Sequence, residues 1–193
     1  AVNGLVSVTG SNLSTGTGAD NSGVNVTGAS TLIRTTGTGN LNIMGTGGGA
    51  GAGGSDVGVR WGVANAINAS GSGNITINGT GGDTGGSGTN NFGVSGTTAL
   101  TISGTGSLTM IGQGGGAGGT ASASYGVNLA AAIATTGGAI SITGTGANAS
   151  GATNYGVRSA GLNSGGGNIT VNGTGAGTGN NNIGYSLAGG ISA

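Results

Sequence analysis

The sequence predicts an all-β protein, a parallel β-helix (β-solenoid) of about six coils with three short strands per coil, forming a single domain over residues 1–193. Three observations lead there. A landmark glycine, usually followed by Val, recurs at Gly23, Gly58, Gly93, Gly126, Gly156 and Gly184, with spacings of 35, 35, 33, 30 and 28 residues. Each repeat holds a short segment in which apolar residues alternate with Ser, Thr or Asn. A lone apolar landmark precedes that segment by seven or eight residues. A fixed period of this size marks an array of stacked units, none of which can bury its apolar face alone.

The alternating segments are NLNIMG from Asn40, NITING from Asn74, SLTMIG from Ser107, AISITG from Ala139 and NITVNG from Asn168. Period two means strand. The inward pairs are Leu41 and Ile43, Ile75 and Ile77, Leu108 and Met110, Ile140 and Ile142, Ile169 and Val171, with Val6 and Val8 from a partial repeat at the start. The lone landmarks Ile33, Ile67, Leu100, Ile133 and Leu162 give another strand, and the stretch after the landmark glycine gives the third. A Gly-Thr-rich loop follows each alternating segment, beginning at residues such as Gly45 and Gly79.

Composition agrees. Gly supplies 53 of 193 residues, which suits corners and close backbone approach. Pro is absent, so every internal strand keeps its donor for the ladder. Glycine alone is compatible with disorder, but disorder goes with low hydrophobicity and high net charge. Here the net charge is zero and the apolar residues fall in register.

The residues before the landmark glycines, Val57, Phe92, Tyr125, Tyr155 and Ile183, form one apolar column. We expect them to stack as a packing ladder; a sugar-binding aromatic strip is the alternative. Trp61 lies just past this column, with either role open to it.

The inventory for chemistry is thin: Asp20, Asp56, Asp83, Arg34, Arg60, Arg158, three tyrosines and the chain ends. Proton transfer and nucleophilic attack need a titratable group beside a partner. Asp20 and Asp56 lie three and two residues before their glycines, where neighbouring coils could bring them together as an imitation of a glycosidase pair. Turn formation is the simpler role for both. No phosphate loop is present, and GGSD at 53–56 stands without the series that a calcium roll requires. We therefore expect no enzyme, no cofactor and no metal.

Without basic runs, nucleic acid and anionic membranes lack their electrostatic footprint. No apolar stretch approaches the ~20 residues of a membrane span. No charged-then-apolar start resembles a leader, which is compatible with a mature product beginning at Ala1. Asn-x-Ser/Thr at Asn12, Asn25, Asn68, Asn74, Asn78, Asn148, Asn168 and Asn172 fits either glycosylation or unmodified polar ladders. The outward residues Ser7 and Thr9, Asn42 and Met44, Thr76 and Asn78, Thr109 and Ile111, Ser141 and Thr143, Thr170 and Asn172 form no regular Thr-x-Thr lattice, which leaves ice binding a minor alternative.

The repeat reads as an aromatic or apolar residue before GV, then an apolar landmark, then GGxIxITGTG and a Gly/Ala/Asn/Ser loop. Over the whole chain it resembles the repeats of large bacterial surface proteins of the filamentous-haemagglutinin and autotransporter β-helix type. The resemblance implies secretion, an extracellular or cell-surface setting, and adhesive or structural roles, with surface glycans as candidate partners. Such adhesins are far longer than this chain, which leaves a piece of a giant adhesin or a small subunit that assembles.

The two partial repeats are complementary. Residues 184–193 followed by 1–22 give 32 residues, within the range of the whole repeats, and Ile191 to the next Val6 spans eight. The expectation is a head-to-tail fibre subunit in which Ala193 of one copy abuts Ala1 of the next inside a shared coil. Ala1, Val6, Val8, Tyr185, Leu187, Ile191 and Ala193 are the expected interface, and lateral bundling of such fibres is a further expectation.

Overall fold

A computed structural model describes residues 3–193, and the architecture is the expected one. The chain opens with β1 (Val6–Ser11) and then runs five times through two short strands and one long one. These triplets are β2 (Val24–Val26), β3 (Ile33–Thr35), β4 (Leu41–Thr46); β5 (Val59–Trp61), β6 (Ile67–Ala69), β7 (Ile75–Thr80); β8 (Val94–Gly96), β9 (Leu100–Ile102), β10 (Leu108–Gln113). They continue with β11 (Val127–Leu129), β12 (Ile133–Thr135), β13 (Ile140–Thr145); β14 (Val157–Ser159), β15 (Leu162–Asn163), β16 (Ile169–Thr174). The last strands are β17 (Tyr185–Leu187) and β18 (Ile191–Ser192).

Each strand pairs in parallel with its equivalents one coil away, giving three walls. The long-strand wall runs β1-β4-β7-β10-β13-β16, and the second wall runs β2-β5-β8-β11-β14-β17. The register of the long wall never slips: Val6, Leu41, Ile75, Leu108, Ile140 and Ile169 share one row. The inward pairs from Leu41 and Ile43 to Ile140 and Ile142 are buried, at 0–1 % exposure. Parallel ladders leave identical positions on top of one another, so apolar residues of each row pack along the stack as well as across it.

The third wall is interrupted between the pair β3-β6 and the group β9-β12-β15-β18. The cause lies in two side chains. Asn65 Oδ1 accepts from the Thr101 N–H at 2.8 Å and Asn68 Oδ1 from Ser103 N–H at 3.4 Å, replacing backbone acceptors where β9 approaches β6.

The long strands extend two residues beyond the boundary expected from sequence: Gly45–Thr46 and Gly79–Thr80 are strand, not loop. The glycine there faces inward against the landmark glycine. A Cβ at any of Gly10, Gly45, Gly79, Gly112, Gly144 or Gly173 would fall within 3.0 Å of the carbonyl oxygen of Gly23, Gly58, Gly93, Gly126, Gly156 or Gly184 respectively. Two glycine columns therefore press the backbones of the first and second walls together.

Trp61 belongs to the core. It is 0 % exposed and its Nε1 donates to Thr98 O at 3.1 Å. Its ring occupies the room left by Gly96 on the next coil, where a Cβ would collide with the indole. This one glycine fits a specific large neighbour.

The Gly-Thr-rich segments stack into a lobe of their own. Its interior holds Ala121, Ala147 and Ala149 together with buried Asp56, Asp83, Asn91, Ser124 and Asn154. Backbone bonds such as Asp83 N–H to Gly48 O at 3.1 Å and Gly116 N–H to Gly82 O at 2.9 Å tie successive segments together.

Candidate assembly faces

The three walls leave two open faces. Among the described residues no strand pairs with the outer edges of β1, β2 and β3, nor with those of β16, β17 and β18. Exposure follows from this: Val6, Val8, Ile169 and Val171 are only half-buried, whereas their row-mates inside the stack are fully covered. Leu187 is 43 % and Ile191 46 % exposed, although both continue rows that are buried in lower coils. Tyr185 is held in place by its hydroxyl, 2.9 Å from Ser159 Oγ, and packs against the core.

The expected interface residues thus divide between the two faces, Val6 and Val8 on one, Tyr185, Leu187 and Ile191 on the other. Ala193 is exposed beside β18, and Ala1 lies outside the described residues.

A polar ladder, not read from the sequence, runs beside these walls. The residues two positions before the landmark glycines are Asn21, Asp56, Asn91, Ser124, Asn154 and Asn182. Each backbone N–H donates to the side-chain oxygen one coil above: Asn21 to Asp56 at 2.8 Å, Asp56 to Asn91 at 3.0 Å, Asn91 to Ser124 at 3.3 Å, Ser124 to Asn154 at 3.0 Å, Asn154 to Asn182 at 2.8 Å. The signal was present as an Asn/Asp/Ser column in constant register. Among the described residues no rung stands above Asn182. Asn154→Ala removes an acceptor from the buried Ser124 N–H, and we expect it to cost about 1–3 kcal/mol in urea denaturation.

No protein-family model matches the chain, and comparison with curated proteins and with solved structures finds no match.

Within the expected column the three aromatic rings lie against one another. Phe92 and Tyr125 have centroids 5.2 Å apart, and Tyr125 and Tyr155 lie 4.8 Å apart with planes within 11°. Val57 below is buried and Ile183 above is 41 % exposed. The facing rings of Tyr125 and Tyr155 cover one another. A sugar stacks on a ring face, so this geometry favours packing over the sugar-binding strip.

Asp20 and Asp56 do not form a pair. Asp20 is exposed and meets Arg60 at 3.4 Å, while Asp56 is buried and accepts from Asn21 N–H and Nδ2. The carboxyl that the sequence reading left aside is Asp83, buried one coil from Asp56. It accepts from Gly88 N–H at 2.8 Å and Asn91 Nδ2 at 3.2 Å through Oδ2, and its Oδ1 has no partner among the described residues.

Burial pushes the Asp83 carboxyl above the usual carboxylate range; the Gly88 N–H pulls it back, and nearby Asp56 adds to the rise. The folded state therefore binds this proton more tightly than the unfolded state does. The stability Asp83 contributes is fully present below its ordinary pKa of 3.8 and is lost as pH rises through the elevated value. Asp83→Asn keeps an Oδ acceptor and removes the charge. Its melting temperature should exceed that of the native chain at pH 7, with the gap closing near pH 3.

Proposed function

We propose that this chain is a structural element of an extracellular bacterial fibre, stacking head to tail so that coils of successive copies form one continuous β-helix. The observation that carries this reading is the match between the two open faces. Each face offers one strand per wall, and each row of the long wall begins and ends in the same chemical class, aliphatic, glycine or uncharged polar. A second copy displaced by six coil rises, about 29 Å, sets β1 on β16, β2 on β17 and β3 on β18.

In that arrangement Val6 and Val8 cover Ile169 and Val171, Val26 covers Leu187, and Ile33 covers Ile191. Asn21 Oδ1 of the added copy meets the Asn182 N–H and extends the ladder by one rung. The contact is strand addition on three edges at once. It is heterologous and does not close, so it generates filaments. The extracellular setting rests on the resemblance to bacterial surface repeats, and a surface of very low charge suits a fibre exposed to changing salt.

Negative-stain microscopy of the purified chain at increasing concentration is the test. End-to-end growth supports the reading. Discrete short rods at every concentration would overturn it and favour the alternative, in which the neighbouring coils belong to one giant adhesin chain.

A further inference from the structure

The long-strand wall has an outer face unlike the other two. Its strands carry three outward columns: Ser7, Asn42, Thr76, Thr109, Ser141 and Thr170; then Thr9, Met44, Asn78, Ile111, Thr143 and Asn172; then Ser11, Thr46, Thr80, Gln113, Thr145 and Thr174. None of the six charged residues is among them. Arg60 and Arg158 lie on the second wall, Arg34 on the third, and the three Asp residues in loops. Two large apolar side chains stand out from this neutral face, Met44 at 51 % and Ile111 at 43 % exposure.

We propose that this face is a lateral contact that pairs with the same face of a second copy in a neighbouring filament, an inference that rests on the head-to-tail reading. Three features favour a copy of this chain as occupant. The face is uncharged, so two of them meet without like-charge repulsion. It consists of six-residue strands in unbroken register, free of Pro and bearing mostly Ser, Thr and Asn around Met44 and Ile111, the material of dry interdigitating sheet pairs.

It is also self-complementary. Met44 and Ile111 occupy the same strand position one coil below and one coil above Asn78. A two-fold axis parallel to β7 and midway between the two faces therefore sets Met44 against the second copy's Ile111, and Ile111 against its Met44. A shallow depression bordered by Thr9, Ser11, Met44, Thr46 and Thr80 lies beside this contact and gives an opposing side chain room to enter.

Area decides when such pairing occurs. Six rises of about 4.8 Å by six residues of about 3.3 Å give roughly 570 Å² per copy, or about 1,140 Å² for both partners. That is just below the range for stable specific contacts. Single copies do not hold together, whereas a row of several copies multiplies the area, so filaments form first and pair afterwards, with facing sheets about 10 Å apart.

The test compares native chain with Met44→Arg/Ile111→Arg by electron microscopy, after circular dichroism and melting have shown that the variant folds as the native chain does. We expect paired native filaments and single variant filaments of equal length, with at least a tenfold drop in the paired fraction. Single native filaments, or variant filaments that still pair, overturn the lateral contact while leaving the head-to-tail reading intact. Absence of filaments from both samples removes the reading on which the inference rests, and the inference with it.

Discussion

Gly93→Ala is expected to lower the stability of the chain by about 3 kcal/mol or to prevent folding outright, although it adds a single methyl group. At this position a Cβ falls within 3.0 Å of Gln113 N, Gly126 O and Gly79 O. All three are backbone atoms, held by ladders in two walls, so no side chain can rotate away. Relief requires the first and second walls to separate, which opens the contact between both glycine columns. Gly18→Ala is the matched control: nothing lies within 4 Å of a Cβ there, and its effect should stay within about 0.5 kcal/mol. Urea denaturation of the two variants checks both values.

The second large effect concerns assembly. Leu187→Arg places a charge on the upper face, where the side chain is free in a single copy but would be enclosed on Val26 of an added one. Val8→Arg does the same to the lower face, opposite Val171. An inward-pointing charge is a natural device against edge growth, because an unpaired buried charge costs several kcal/mol. Each variant alone should sediment as single copies and retain the native β signal. Their mixture has one intact pair of faces, the upper face of Val8→Arg and the lower face of Leu187→Arg. It should therefore yield dimers and nothing longer, a stoichiometry that non-specific aggregation does not produce. Analytical ultracentrifugation of each variant and of the mixture reads this directly.

Much of the fold was legible in the sequence because a parallel stack writes each position once per coil. The alternating pairs from Leu41 and Ile43 onward, and the landmarks from Ile33 to Leu162, are strands in the expected register. The strand boundary was harder to see. Gly45–Thr46 and its equivalents look like loop by composition, yet the inward glycine is required by a backbone from another wall, information that no local window contains. That same extension supplies the outermost column, Ser11 to Thr174, which widens the long wall from two outward columns to three.

The interruption of the third wall depends on Asn65 and Asn68, whose side chains imitate backbone acceptors only where β9 passes them. The lobe ladder through Asp56, Asn91 and Asn154 could have been found by reading two positions before each landmark glycine. Asp83 gave no sequence signal: its equivalents on neighbouring coils, Gly49 and Gly116, carry no side chain, and its burial comes from the lobe closing over it.

The open faces were legible as arithmetic, through the complementary partial repeats. The structure adds half-buried rows at both ends of the described stack and, among the described residues, a polar ladder whose last rung is Asn182. The most direct test of the central claim is the axial repeat of filaments grown from the purified chain, measured by cryo-electron microscopy. Continuous stacking predicts a strand spacing of about 4.8 Å and a copy-to-copy rise of about 29 Å, with β1 of one copy seated on β16 of the last. Filaments with a different rise, or strands not perpendicular to the filament axis, would contradict it.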